Sequence, residues 1–151
     1  MLPRPLVRAE GWSRTEEANM SLEIKIYKVK DFIRMNESGE IDFARSMQII
    51  HNLAMAASIY RGHNILVDLR ETTIAGETNM TTILQLALEA ARFRSSLKGR
   101  IANVLPDDEK RLSIARQFKA SLDLQGFQYE IFANFEDAIN WLSEVRDLND
   151  N

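Results

Sequence analysis

The alternation of apolar and polar residues predicts a chain in which strands and helices take turns. In residues 22–27, Leu22, Ile24 and Ile26 are separated by charged residues, which is the period of a half-buried strand. A second short strand is predicted at residues 31–36, after which Ser38-Gly39 breaks the chain. Because the connection between these two strands is so short, we expect them to pair antiparallel. Apolar runs predict three further strands, at residues 65–69, 100–105 and 128–132.

Four further segments are predicted to be helices with one buried face. They run from Asp42 to about Tyr60, from Thr78 or Asn79 to about Ser95, from Asp108 to Gly126, and from Asn134 through Val145. The predicted order is therefore β-β-α-β-α-β-α-β-α. Strands that alternate with helices imply parallel neighbours and right-handed crossovers. We expect a single-domain α/β fold with a central mixed, mostly parallel sheet and four helices.

The chain is predicted to be one domain with short flexible ends. A chain of 151 residues can bury roughly 68–70% of its unfolded surface, which is enough for a core. Residues 1–19 contain two prolines and no apolar periodicity, so we expect a flexible leader. The start of translation is left open between Met1 and Met20. The domain is predicted over residues 20–147, and residues 148–151 form a polar tail that we expect to be disordered.

Composition and motifs exclude several kinds of chemistry. The net charge of −3 gives no general attraction to nucleic acid, and no stretch approaches the roughly 20 apolar residues of a membrane helix. The chain has no cysteine, its six glycines form no phosphate-binding loop, and His51 and His63 have no ligand spacing around them. We therefore predict no metal, no cofactor and no enzymatic activity, and we expect a cytoplasmic protein that either stays free or sits peripherally at the membrane.

Three features of the sequence are shared with a known family. They are the opening strand pair, the segment NILVDLRETT leading into a helix, and the ending YEIFANFEDAINWL, where an acidic helix start is followed by Ala-x-x-Trp-Leu. With these features, the chain from about residue 20 to 147 resembles the STAS fold and, within it, the SpoIIAA-like (STAS/SEC14-type) bacterial proteins. The resemblance implies the same α/β architecture.

The resemblance also indicates a candidate regulatory site. In anti-sigma-factor antagonists of the STAS fold, an Asp-Ser-Ser-Gly motif follows the central strand, and its second serine is phosphorylated to release a partner. That motif falls on Gly76, Glu77, Thr78 and Asn79, so Thr78 takes the place of the phosphoacceptor. The tetrapeptide is otherwise changed, and the Glu77 carboxylate opposes a phosphate of about −1.5 to −2 charges. Two interpretations of Thr78 stay open: a phosphoacceptor at a helix N-terminus, or the residue that caps that helix.

A second candidate site lies just before this motif. Asp68 is near the C-terminal end of its strand, the edge at which ligands collect in open α/β sheets. Its neighbour Arg70 could pair with it or hold an anion, and Thr72 and Thr73 follow as further ligand contacts. The alternative is a structural carboxylate that bonds a nearby turn.

The predicted helix at residues 78–95 is more apolar than one buried stripe requires. This surplus needs a neighbouring subunit, a ligand or a membrane surface to cover it. Methionine fills irregular space well, so it joins the candidates for an apolar pocket or dimer surface. These candidates are Met47, Met55, Met80, Ile83, Leu84, Leu86 and Leu88.

Two functions follow from these observations. The resemblance and the lack of a catalytic constellation favour a non-enzymatic regulatory or protein-interaction module of the STAS type, with a protein partner over residues 72–80. The alternative, implied by similarity to the lipid-binding SEC14 fold, is a carrier or sensor of a small apolar or lipid-like ligand. A carrier predicts an enclosed apolar cavity beneath the helices at 42–60 and 78–95. We expect a homodimer in either case.

Overall fold

The computed structural model describes residues 32–144, which form four strands and four helices in strict alternation. The strands are β1 (Phe32–Ile41), β2 (Asn64–Ile74), β3 (Arg100–Val104) and β4 (Gln128–Phe132). The helices are α1 (Phe43–Ile59), α2 (Met80–Ala91), α3 (Glu109–Leu124) and α4 (Phe135–Leu142). The predicted α/β fold class is confirmed, and the order of elements matches the prediction from the second predicted strand onwards.

The four strands form one parallel sheet in the order β1-β2-β3-β4. Successive crossovers of one hand, each stepping to the next strand, place their helices on the same face. Accordingly α1, α2 and α3 pack together on one side of the sheet, called here the three-helix face. Helix α4 follows β4 and does not lead to another strand within residues 32–144. It packs on the other side of the sheet, called the α4 face.

Successive residues of each strand point to alternate faces, which gives the sheet two separate cores. Val67 and Ile101 belong to the core of the three-helix face. Leu66 and Val104 belong to that of the α4 face, together with Leu142 from α4. All five are less than a tenth exposed. Trp141 of α4 also packs against this core.

Two predicted strand ends are wrong. Ser38-Gly39 does not end β1, which continues to Ile41 because Gly39 adopts a φ of 89° that other residues rarely tolerate. Strand β2 continues past residue 69 to Ile74, so Thr72 and Thr73 belong to a strand and not to a turn. The polar residues of this segment favour a connection between strand and helix, because polarity is also typical of loops.

A β-bulge explains why the side chains at the end of β2 lie on the opposite face from the one that simple alternation predicts. Asn36 pairs with Asp68 and Ser38 pairs with Glu71, so two steps along β1 oppose three steps along β2. Such an extra residue reverses which face the following side chains occupy. Thr72 therefore points to the three-helix face, although simple alternation would place it on the same side as Asp68.

The predicted helix starts are correct at Asp42, Asp108 and Asn134, whose side chains each accept a hydrogen bond from a first-turn amide. The capping interpretation of Thr78 is wrong, because the cap of α2 is Asn79. Asn79 Oδ1 accepts from the Thr82 amide, and Thr82 Oγ1 accepts in return from the Asn79 amide, at 3.0 and 3.1 Å. This reciprocal pair satisfies two donors at once.

Some predictions fall outside the described residues. They are the leader at residues 1–19, the strand at 22–27 with its antiparallel pairing, and the tail at 148–151. Every strand pair among residues 32–144 is parallel.

Candidate functional site: a cavity on the three-helix face

A cavity of about 200 Å³ lies between the sheet and helices α1, α2 and α3. Its wall is mostly aliphatic and aromatic, with contributions from all four strands and from these three helices. Ile83, Leu86 and Ala90 line it from α2, while Val67 and Ile101 line it from the sheet. An apolar cavity therefore lies beneath the first two helices of this face, with α3 as a third wall, but it is partly open to solvent and not enclosed as predicted.

The cavity reaches the carboxyl ends of β1 and β2. Asp42 follows β1, and Ala75, Glu77 and Thr78 follow β2, and all four belong to its lining. The carboxyl edge of a parallel sheet is where α/β proteins commonly bind their ligands. This edge is acidic on its outer side, since Asp42 and Glu77 are both exposed.

Arg111 is the one arginine or lysine among the described residues that line the cavity. It lies in the first turn of α3 and is only 7% exposed. Its Nη1 donates to the Thr72 carbonyl oxygen at 2.8 Å, and its Nη2 donates to Thr72 Oγ1 at 2.9 Å. Thr72 Oγ1 in turn donates to the Leu69 carbonyl oxygen at 2.6 Å. The bulge in β2 is thus what brings Thr72 to Arg111.

Burial sets the electrostatic state of Arg111. Loss of hydration lowers the pKa of its guanidinium, and the nearby charge of Asp108 opposes this effect. Among residues 32–144, no carboxylate lies within 4 Å of the guanidinium nitrogens of Arg111, although its backbone amide donates to Asp108 Oδ2 at 3.2 Å. An arginine stays charged at neutral pH, so the cavity wall carries a positive charge without a paired anion from the described residues.

Asn103 and Tyr129 form a second polar group in the wall. Asn103 Nδ2 lies 2.6 Å from Tyr129 Oη. Asn103 Oδ1 is buried and has no hydrogen-bond partner in the described part of the chain. Burial raises the pKa of Tyr129 to about 12, so its hydroxyl stays protonated at neutral pH. A buried polar atom without a partner is rare enough in native proteins to need an explanation.

The residues of the predicted regulatory motif divide between the cavity edge and the solvent. Glu77 and Thr78 line the cavity. Gly76 and Asn79 are exposed and do not line it, and Gly76 has the positive φ of 80° that the turn requires. The phosphoacceptor interpretation of Thr78 stays a prediction.

The structure separates Asp68 and Arg70 from the cavity. Asp68 accepts two hydrogen bonds from the Arg70 side chain, at 2.7 and 3.0 Å, and one from the Arg70 amide at 3.1 Å. Arg34 adds a second positive charge, with its Nη2 at 3.6 Å from Asp68 Oδ2. The side-chain hydrogen bond from Arg70 is the largest cause of the lowered pKa of Asp68. Arg70 therefore pairs with Asp68, which is one of the two roles predicted for it, and the bonds lie within strand β2 and not at a turn. Thr73 is exposed and belongs to neither the cavity nor this ion pair.

The predicted apolar residues are not all in one place. Ile83 and Leu86 line the cavity, whereas the half-buried Met47 and the exposed Met55 and Met80 do not. The pocket interpretation of the three methionines is therefore wrong. The remaining members of the set, Leu84 and Leu88, are 46% and 60% exposed on α2.

The exposed apolar residues of α2 form a row. Met80, Leu84 and Leu88 are spaced by four, so their side chains lie on the same side of the helix. The buried side of the helix is formed instead by Ile83, Ala87 and Ala90. The surplus of apolar surface on α2 is real and faces solvent in the single chain.

Sequence reasoning missed Arg111, Asn103 and Tyr129. A signal was present for the first two. Arg111 is in phase with the buried positions Ala115 and Leu122 of α3, and Asn103 interrupts an otherwise apolar strand. A polar residue at a buried position of a periodic pattern is informative because such groups need a partner.

The described residues show neither a metal site nor a membrane-spanning helix. No group of three or more His, Asp or Glu residues there could hold a metal ion. No helix there is long and apolar enough to cross a membrane. The three arginines of residues 92–100 have structural partners: Arg92 pairs with Glu89, Arg94 donates to the Gln125 carbonyl, and Arg100 donates to the Trp141 carbonyl.

Comparison with known proteins gives one structural likeness and no sequence family. No protein-family model matches the chain, and no curated protein sequence matches it significantly. Among solved structures, the chain is similar to an uncharacterized DUF3478-family protein with a SpoIIAA-like fold from Shewanella loihica PV-4. The match has a TM-score of 0.49 and 15% identity, and covers 78% of this chain and 89% of that one. SpoIIAA-like is also the fold that the sequence resemblance implies, and the likeness concerns the fold alone.

Proposed function

We propose that this chain is a non-enzymatic carrier or sensor that binds a small apolar ligand in the cavity of the three-helix face. The observation that carries the proposal is the cavity itself. Protein interiors are close-packed, and voids larger than a water molecule are few. A cavity of about 200 Å³ is several times the volume that a water molecule needs. A binding role accounts for a space of this size.

The volume sets the size of the ligand. An apolar cavity of about 150 Å³ in another protein stays dry and binds benzene. A cavity of about 200 Å³ therefore suits a molecule of roughly six to nine non-hydrogen atoms. This is smaller than a membrane lipid, so the proposal favours a short apolar ligand over a lipid with long chains.

The side chains around the cavity support binding rather than catalysis. Neither histidine of the chain lines it, and His51 is instead bonded to Glu89 at 2.6 Å. A general base must lie within hydrogen-bond reach of the group it deprotonates. The polar groups that do line the wall, among them Arg111 and Asn103, can orient a ligand without reacting with it.

The experiment that tests this proposal is native mass spectrometry of the protein purified from its own cells. We expect a non-covalent adduct of about 100–150 Da, the mass of roughly six to nine non-hydrogen atoms, which is lost on denaturation. The matched control is Ala115→Leu, which adds a larger side chain in the cavity wall and should abolish the adduct. Bare protein in both samples, or an adduct that the variant retains, would contradict the proposal.

A second candidate function has its own observation. The exposed row of Met80, Leu84 and Leu88 begins where the predicted partner-binding segment, residues 72–80, ends. An apolar row of this kind favours a protein-interaction module or a homodimer. Analytical ultracentrifugation of the protein and its Leu84→Glu variant tests it: the association expected for the wild type should be lost in the variant.

A further inference from the structure

Arg111 is a buried cation that faces the cavity with hydrogen-bonding capacity to spare. A guanidinium has five N–H donors, and Thr72 accepts from one on Nη1 and one on Nη2. The other donors have no partner among residues 32–144. Thr72 holds the guanidinium in place, since its carbonyl and hydroxyl fix both terminal nitrogens. The side chain is thus already ordered, and a ligand would not have to bear the entropic cost of ordering it.

The second polar group of the wall is also incomplete. The contact of 2.6 Å between Asn103 Nδ2 and Tyr129 Oη is short for an N–H···O bond and typical of an O–H···O bond. Exchanging the amide nitrogen and oxygen, which shape does not distinguish, lets Tyr129 donate and leaves the amide NH₂ as the group without a partner. In either orientation one polar atom of Asn103 has no partner among the described residues.

We propose that the ligand of the cavity is a small apolar carboxylic acid, and that its carboxylate binds Arg111 while Asn103 supplies a further polar contact. This inference rests on the proposed function. A carboxylate matches the planar fork of a guanidinium and forms charge-assisted hydrogen bonds with it. It would also place a negative charge in direct contact with the guanidinium, which Asp108, bonded to the Arg111 backbone amide, does not do. The rest of the wall is apolar and suits the hydrocarbon part of such an acid.

The acidic residues near the cavity do not prevent this. The Asp42 carboxylate accepts from the Arg45 amide at 2.7 Å as a helix cap, and Glu77 is exposed. Exposed charges are screened by water and salt, whereas a contact inside the cavity is not. A neutral ligand would leave the Arg111 charge unpaired, and a cation would be repelled by it.

The test compares acids with neutral molecules of matched shape. Hexanoate with 1-hexanol, and benzoate with benzyl alcohol, are titrated at pH 7.5 into ¹⁵N-labelled protein, and dissociation constants are taken from amide shifts. We expect each acid to bind at least ~10-fold more tightly than its alcohol, as an ordered charge-assisted pair provides. Arg111→Lys keeps the charge without the fork and should reduce this preference several-fold.

Two further variants isolate the charge. Arg111→Met should reverse the preference, because a carboxylate without a counter-ion is excluded from an apolar site. Arg116→Met removes the same charge from an exposed position on α3 and should leave the preference unchanged. If Arg111→Met does not fold, the wild type and Arg111→Lys still decide the question.

The outcomes separate this inference from the proposed function. Equal binding of acid and alcohol to the wild type would overturn the carboxylate anchor and leave the cavity as a binding site. No binding of any of the four probes would overturn both. A preference for the acids that Arg116→Met abolishes would place the anion at the surface and overturn the role of Arg111.

Discussion

The two faces of the sheet differ in how closely their cores are packed. On the α4 face, Leu66, Val104 and Ala138 are fully buried beside α4, and no member of that cluster lines the cavity. On the three-helix face, the core lines the cavity, whose wall includes Arg111 and Asn103. The α4 face is thus a filled core, whereas the three-helix face contains the space that the proposed function assigns to a ligand.

The comparison predicts unequal costs for the same truncation on the two faces. Leu66→Ala on the α4 face should lower the free energy of unfolding by about 3–4 kcal/mol, because it opens a void in a filled core. Leu53→Ala, on the cavity wall, should cost only about 2 kcal/mol, since that side chain already lacks neighbours on one side. Urea unfolding measures both. An equal or larger loss for Leu53→Ala would show that the cavity is filled by other parts of the chain.

Enlarging a side chain should have opposite effects on the two faces. Ala138→Leu has no space on the α4 face and should cost about 1–3 kcal/mol through overpacking. Ala115→Leu extends into the cavity and should raise the free energy of unfolding by about 0.5–1 kcal/mol. Thermal unfolding of the two variants distinguishes these signs. Destabilisation by both would indicate that the three-helix face is as closely packed as the other.

The polar wall of the cavity predicts a dependence on alkaline pH. The pKa of the Tyr129 hydroxyl is about 12 in the folded protein, whereas the pKa of a tyrosine is near 10 in the unfolded chain. Below pH 10 the tyrosine is neutral in both states, whereas at higher pH ionisation stabilises only the unfolded state. Stability should therefore fall as pH rises, by about 1.4 kcal/mol at pH 11.

The variant Tyr129→Phe isolates this contribution. The difference in unfolding free energy between wild type and variant, measured at pH 8 and pH 11, should shrink by that amount. Tyr60→Phe, at an exposed position, serves as the control and should show no such change. An unchanged difference for Tyr129→Phe would mean that the hydroxyl is hydrated rather than buried in the wall.

Local chemistry explains what the sequence could predict about the fold. Caps such as Asp42 and Asn134 were recognised because a cap depends on the side chain and the few amides after it. The predicted start of α2 left Thr78 and Asn79 both open as the cap, since both residue types accept from amides and only the backbone decides between them. The alternation of strands and helices was predicted because it depends on periodicity alone.

The candidate site was harder to predict because it depends on two non-local features. The bulge in β2 turns Thr72 towards α3, and a period of two gives no sign of an inserted residue. The cavity is formed by residues distant in the chain, from Val67 on β2 to Phe118 on α3, and no single segment reveals missing volume. Asp68 and Arg70 fit a ligand site from their position, but their hydrogen bonds to each other are visible only in the structure.

The most direct test of the ligand site is amide shift mapping with benzyl alcohol as the probe. If the ligand site is the cavity, amide shifts are expected at cavity-lining positions such as Val67, Asn103 and Ala115, and these shifts should be lost in Ala115→Leu. Shifts centred on Leu84 and Leu88, persisting in Ala115→Leu, would show that the probe binds the exposed row of α2. That result would contradict a ligand site in the core.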